Sequence, residues 1–167
     1  MKVFGVTGWK NSGKTGLMER LVAEITGRGL TVSTLKHAHH SFDVDHEGKD
    51  SYRHREAGAS QVILASKNRW ALMSEQRGAD EPSLTELLGK LDPVDLVLVE
   101  GYKREGHDKI EAHREATGQP LIAPRDVTIV AVASDTAPEA LVPVLDLDDT
   151  TGIADFILAS VGLVRMT

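Results

Sequence analysis

The run Gly8-Trp9-Lys10-Asn11-Ser12-Gly13-Lys14-Thr15 has a glycine, four residues, then Gly-Lys-Thr. That spacing suits a polyphosphate. Glycines let successive backbone N–H groups turn into one concavity, where they bind phosphate oxygens. Lys14 is long enough to reach the β and γ phosphates, and the Thr15 hydroxyl is an oxygen ligand for Mg²⁺. A helix expected to follow adds its positive amino end. The competing reading is a bare glycine turn between strand and helix, but the full match, flanked by a strand and an amphipathic helix, favours phosphate. Gly8, Trp9, Lys10, Asn11, Ser12, Gly13, Lys14, Thr15 and Gly16 are therefore candidate nucleotide contacts. Lys10 lies either on a phosphate or in solvent. Trp9 lies either over the nucleotide or in a dimer contact.

Such a loop needs a carboxylate at the end of a neighbouring apolar strand, to meet Mg²⁺ or position water. The run Asp95–Glu100, DLVLVE, offers Glu100 at its end. Asp95, at the opposite end, reads as a local cap. A second polar cluster, from Lys36 to Arg55, contains His37, His39, His40, Asp43, Asp45, His46, Asp50, Arg53 and His54. It admits three uses: Asp43 or Asp45 on Mg²⁺ or its water, the three histidines on zinc or nickel, or cations facing a phosphate. A solvated loop is the fourth reading. Asp135, just past the apolar run Val127–Ser134, could accept from guanine N1 and N2 or cap the segment that follows.

The elements needed to position these groups are legible. Lys2–Thr7 reads as a buried strand, and Leu17, Leu21, Val22 and Ile25 share one helical face that Gly27 or Gly29 ends. Thr31–Lys36 is the next strand, and a short helix begins near Asp50 or Ser51. QVILAS and RWALMSE, separated by Lys67 and Asn68, form an antiparallel hairpin. Ser83 and Glu86 make a capping box. DLVLVE and VTIVAVAS are continuous apolar runs of the kind buried on both faces of a parallel sheet. VPVL adds another strand, and Ile153–Val164 is a final helix. KIEAHREA fits either a helix or an edge strand. The alternation predicts an α/β domain, three-layer with a mostly parallel sheet and an added β-hairpin, spanning residues 1–167 as one unit. In such sheets ligands sit at the carboxyl ends of strands, where Gly8, Lys36, Glu100 and Asp135 all fall.

Composition bounds the rest. The 167 residues contain no cysteine, which excludes disulfides, thiolate metal sites and a cysteine nucleophile. No apolar run approaches the roughly 20 residues that span a bilayer. The amino-terminal apolar run is short and lacks a small-residue cleavage site, so a cytoplasmic protein with no membrane partner is expected. A formal net charge of -6 argues against a general nucleic-acid binder.

GWKNSGKTGL, LKHAHHSFDVDHEGKDSYRHREAGA and LVLVEGYK, in this order, closely resemble the MobB family of molybdopterin-guanine dinucleotide biosynthesis. The middle run carries most of the resemblance, since many families share the phosphate loop. The resemblance implies a homodimeric phosphate-loop GTPase with slow turnover, using GTP and Mg²⁺. It further implies a partner that attaches GMP to molybdopterin, a molybdopterin guanylyltransferase, with molybdopterin or its guanine dinucleotide as a further ligand. Residue by residue, it sets Gly8 to Thr15 on the phosphates and Glu100 by the metal. Lys14, Glu100 and Asp45 become the candidate catalytic groups; Thr15, Asp43, Asp45 and Glu100 the candidate metal ligands. The Asn-Lys-x-Asp signature of many GTPases is absent. The lysine that marks a subgroup of dimeric ATPases directly after the first glycine is replaced here by Trp9. Other readings of the same residues are a small-molecule kinase, a metallochaperone GTPase using His37, His39 and His40, and a nucleotide-sensing interaction module.

Overall fold

The computed structural model describes residues 1–38 and 42–163. They form two compact units, one from residues 1–37 and 88–167, the other from residues 38–87.

The first unit is built on six parallel strands: β1 (Lys2–Thr7), β2 (Val32–Lys36), β5 (Leu96–Glu100), β6 (Lys109–His113), β7 (Ile129–Ser134) and β8 (Val144–Asp146). Their order across the sheet is β2-β5-β1-β6-β7-β8. From β1 the chain runs to β2 on one side, and from β5 it crosses β1 to reach β6. The carboxyl end of β1 thus lies at the switch point where open α/β sheets bind ligands. Two helices, α1 (Lys14–Gly27) and α4 (Thr150–Ser160), flank the chain at either end. Leu17, Leu21 and Ile25 of α1 and Ile153 and Ile157 of α4 join one buried cluster with Phe4, Val6, Leu98, Ile110, Ala131 and Ala133. These strand residues alternate along each strand, so both helices cover the same sheet face.

Several expected details are present. Asp95 accepts from Thr31 N and Oγ1, both at 2.7 Å, and so ties the starts of β2 and β5 together. Gly29, at a φ of 82°, follows the end of α1. α4 begins three residues earlier than expected because Asp149 accepts from Gly152 N and caps it; it ends at Ser160, short of the expected Val164, with Gly162 following at a φ of 72°.

One expectation needs correcting. KIEAH is a central strand, β6, paired in parallel with β1 and β7. Its three ionisable residues are buried: Lys109 and Glu111 fully, His113 to 8% exposure. Hydrogen bonds meet the cost of burying Lys109 and Glu111. Lys109 Nζ donates to the carbonyls of Glu105 and His107 and to Thr128 Oγ1, and the Glu111 carboxylate accepts from Ile122 N and Ala123 N.

The second unit holds α2 (Asp50–Glu56), the antiparallel pair β3 (Gln61–Ala65) and β4 (Trp70–Ser74), and most of α3 (Leu84–Leu88). The capping box forms as expected, with Ser83 N and Oγ donating to Glu86. Lys49, in extended conformation, is the residue before α2. Asp50 and Ser51, the expected caps, both lie inside the helix, and Ser51 is hydrogen-bonded to Asp45 instead.

Candidate functional site

β1 ends at Thr7 and α1 begins at Lys14, so residues 8–13 must turn the chain within six residues. Three of them take positive φ: Gly8 at 147°, Asn11 at 65° and Gly13 at 92°. A Cβ on Gly8 would overlap the Ala112 carbonyl and come within 2.5 Å of Ser12 Oγ, so glycine is required there by space as well as conformation. Gly13 precedes α1 with no side-chain cap, and the first turn has no acidic residue. The amino end of α1 therefore carries its positive field with no counter-charge in its own first turn.

Lys10, Asn11, Ser12, Gly13, Lys14, Thr15, Gly16 and Glu100 line one open cleft of about 500 Å³. Ser12 is 2% exposed, and its Oγ has no hydrogen-bond partner among the described residues. A buried orphan hydroxyl on a cleft wall is costly unless a ligand meets it. Lys14 Nζ donates to Trp9 O at 2.5 Å. Burial pushes the Lys14 ammonium below its ordinary pKa; Glu100 opposes this, while Lys103 and Lys36 add to it. Trp9 is fixed through Nε1, which donates to Pro120 O at 2.7 Å, and Lys103 Nζ lies 5.0 Å from the centre of its ring.

Glu100 ends β5 beside the loop, its side chain 12% exposed and paired with Lys36 Nζ at 3.3 Å. The turn after it is left-handed at Gly101 and Tyr102. Tyr102 stacks obliquely on His37, with ring centres 4.9 Å apart. Thr15 and Glu100 offer hard oxygen ligands in one cleft, a donor set that fits Mg²⁺ shared with phosphate oxygens.

Asp43 and Asp45 belong to the second unit, where a single guanidinium takes both. Arg55 pairs with Asp43 at 2.9 Å, with Asp45 at closer range and with Glu75 at 3.0 Å. The Arg55 hydrogen bond is the main influence holding the Asp45 carboxyl below its ordinary pKa. The same partners raise that of Arg55. His37 lies in the first unit, while His39 and His40 lie outside the described residues. Among the described residues no group of three His, Asp or Glu side chains is arranged to hold a metal.

Asp135 directly follows β7. One carboxylate oxygen accepts from Glu115 N at 3.0 Å, and the other lies 3.6 Å from Arg114 Nη1. Sequence reasoning overlooked Arg114. Its Nε would lie 3.0 Å from a Cβ on Gly13, so the guanidinium rests against the last glycine of the loop. Only the adjacency of β6 to β1 brings the two together, and β6 was the strand that the sequence left ambiguous.

The sequence model of the family described as "Molybdopterin guanine dinucleotide synthesis protein B" matches residues 3–135. The chain belongs to the MobB family. It is 42% identical over 153 residues to the molybdopterin-guanine dinucleotide biosynthesis adapter protein of Escherichia coli strain K12, covering 90% of this chain and 87% of that one. To the adapter protein of the same description from Haemophilus influenzae it is 46% identical over 158 residues, covering 93% and 86%. The crystal structure of a MobB homolog from Bacillus stearothermophilus superimposes with a TM-score of 0.71 at 27% identity, covering 97% of this chain and 99% of that one. MobB membership agrees with the α/β architecture and with the added hairpin. Among the described residues no helix is long and apolar enough to cross a membrane.

Proposed function

We propose that this MobB protein is a GTP-binding, weakly GTP-hydrolysing accessory protein in the attachment of GMP to molybdopterin. The observation that carries the reading is the cleft at the end of β1. It combines an uncapped helix amino end, an orphan hydroxyl on Ser12, and Lys14 held only by a backbone carbonyl of its own loop. Each is a group that gains a partner when a polyphosphate binds. The curated relatives are described as adapter proteins of molybdopterin-guanine dinucleotide biosynthesis, a guanine-containing product that supports GTP over ATP. Asp135, at the end of β7, is the carboxylate we assign to guanine N1 and N2; it would have to turn one oxygen away from Arg114.

In this reading the loop amides and Lys14 bind the β and γ phosphate oxygens. Lys14 leaves the Trp9 carbonyl to do so. Thr15 and Glu100 would hold Mg²⁺, which would supply positive charge to offset the charge that builds on the β–γ bridge. Glu100 orients the attacking water, with Lys36 Nζ paired to its carboxylate at 3.3 Å. Asp43 and Asp45 would reach a metal only by giving up Arg55. No arginine from a partner is needed for this scheme, and slow turnover is the result expected. A homodimer, a guanylyltransferase partner and a cytoplasmic setting complete the proposal.

Equilibrium binding of GTP, ATP and molybdopterin to one preparation, with and without Mg²⁺, tests it. GTP should bind at least about tenfold tighter than ATP, a difference of about 1.4 kcal/mol. Equal affinities would remove the guanine assignment, and no affinity for either would remove the whole reading.

A further inference from the structure

We propose that Arg114 is a phosphate contact supplied from within the same chain, on the β6 side of the loop, when a nucleotide occupies the cleft. The proposal rests on the nucleotide reading above and adds to it a residue that lies outside the Gly-x-x-x-x-Gly-Lys-Thr run.

Arg114 is the first residue beyond β6, at the same edge of the sheet as the loop. Its Nε and Nη2 would lie 3.0 and 3.7 Å from a Cβ on Gly13. Gly13 is also the residue from which α1 starts, with no side-chain cap and no acidic residue in the first turn. A guanidinium and a helix amino end, both positive, are thus set side by side in a chain whose net charge is -6. Their mutual repulsion is relieved when an anion binds both. Ser12, on the wall of the same cleft, independently presents a buried hydroxyl without a partner among the described residues.

The local carboxylate does not satisfy Arg114. Asp135 approaches it through one oxygen at 3.6 Å, outside the two-pronged geometry that saturates a guanidinium, and commits the other oxygen to Glu115 N. The side chain is 37% exposed, leaving donors that face away from Asp135. Asp135 therefore leaves most of the Arg114 fork to a phosphate, and turning its Oδ2 to guanine releases the remaining donor. A planar fork of this kind matches two phosphate oxygens better than an ammonium does. Arg20, also on α1, commits Nε to Thr150 Oγ1 and Nη2 to Leu147 O.

The test is equilibrium binding of GTP, GDP and ATP, each with Mg²⁺, to the wild type, Lys14→Ala, Arg114→Ala, Arg114→Gln and Arg114→Lys. Circular dichroism establishes that each variant is folded. A phosphate contact predicts that Arg114→Ala and Arg114→Gln weaken all three nucleotides by a similar factor, about ten- to a hundredfold. Arg114→Lys should recover part of that loss. Unchanged affinity in folded Arg114→Ala or Arg114→Gln overturns the assignment. So does a loss confined to GTP and GDP, which would mean that Arg114 acts on the base through Asp135. Wild-type affinity that Lys14→Ala does not weaken overturns the nucleotide reading itself. A loss in Lys14→Ala with none in the Arg114 variants overturns only the role of Arg114.

Discussion

Lys14 Nζ donates to the carbonyl oxygen of Trp9, 2.5 Å away, and the Trp9 indole in turn donates to Pro120 O. The ammonium is therefore parked on its own loop, partly buried and with a depressed pKa. A nucleotide that takes Lys14 must break the bond to Trp9, so occupancy of the cleft should be visible from the indole. We expect tryptophan emission to change on adding GTP to a Trp70→Phe protein, in which Trp9 is the remaining reporter. Lys14→Ala should abolish that change and weaken GTP at least about a hundredfold, the loss of more than one charge-assisted hydrogen bond. Tight GTP binding by Lys14→Ala would refute the loop assignment.

Glu100 separates binding from turnover. Its carboxylate lines the cleft and pairs with Lys36, and glutamine keeps its shape while removing its charge. Glu100→Gln should retain GTP affinity within a few-fold while phosphate release falls at least about tenfold, the scale of a lost general-base or water-positioning group. Unaltered phosphate release from a folded Glu100→Gln protein would remove Glu100 from the chemistry.

Much of this site could be read from the residues, and the remainder was hidden for a definable reason. The loop, Glu100 and Asp135 are local signals: a glycine pattern, or a carboxylate ending an apolar run such as LVLVE or the run before Asp135. The capping box at Ser83 and the hairpin are equally local. β6 was misjudged because Lys109, Glu111 and His113 alternate with apolar residues and so resemble an exposed face. Lys109 and Glu111 are buried where backbone carbonyls at 105 and 107 and backbone N–H groups at 122 and 123 satisfy them, and no periodicity encodes that. Arg114 was overlooked with its strand.

Gly8 of the loop and Gly16 of α1 should respond oppositely to alanine. At Gly8 a Cβ would overlap the Ala112 carbonyl at a φ of 147°. Gly8→Ala should cost about 1–3 kcal/mol of stability and most nucleotide affinity. At Gly16, inside α1, the nearest atom to a Cβ is the flexible Arg20 Nη1 at 3.6 Å. Gly16→Ala should stabilise the fold by up to about 1 kcal/mol through helix propensity and leave GTP affinity within a few-fold. Chemical denaturation of both variants provides the comparison; destabilisation by Gly16→Ala would show that its backbone has a further constraint.

His107 gives the stability a dependence on pH. It lies against Gly5, where Nε2 would sit 2.7 Å from an added Cβ, and neither ring nitrogen has a hydrogen-bond partner among the described residues. Burial, reinforced by Lys109, pushes its pKa down to about 4 from the ordinary 6.5. The unfolded chain therefore takes up a proton that the folded chain refuses. The contribution of this residue is complete above pH 6.5 and is lost progressively as the pH falls from 6.5 towards 4. Asp45 and Asp126, whose pKa values are also lowered, weaken the fold further down the acid range, below the ordinary carboxylate value of 3.8. Urea midpoints between pH 7 and pH 4.5 should fall for the wild type and fall less for His107→Phe. Identical slopes for the two proteins in that interval would mean that His107 is protonated in the folded state, and that its surroundings are wetter than the packing against Gly5 and Lys109 implies.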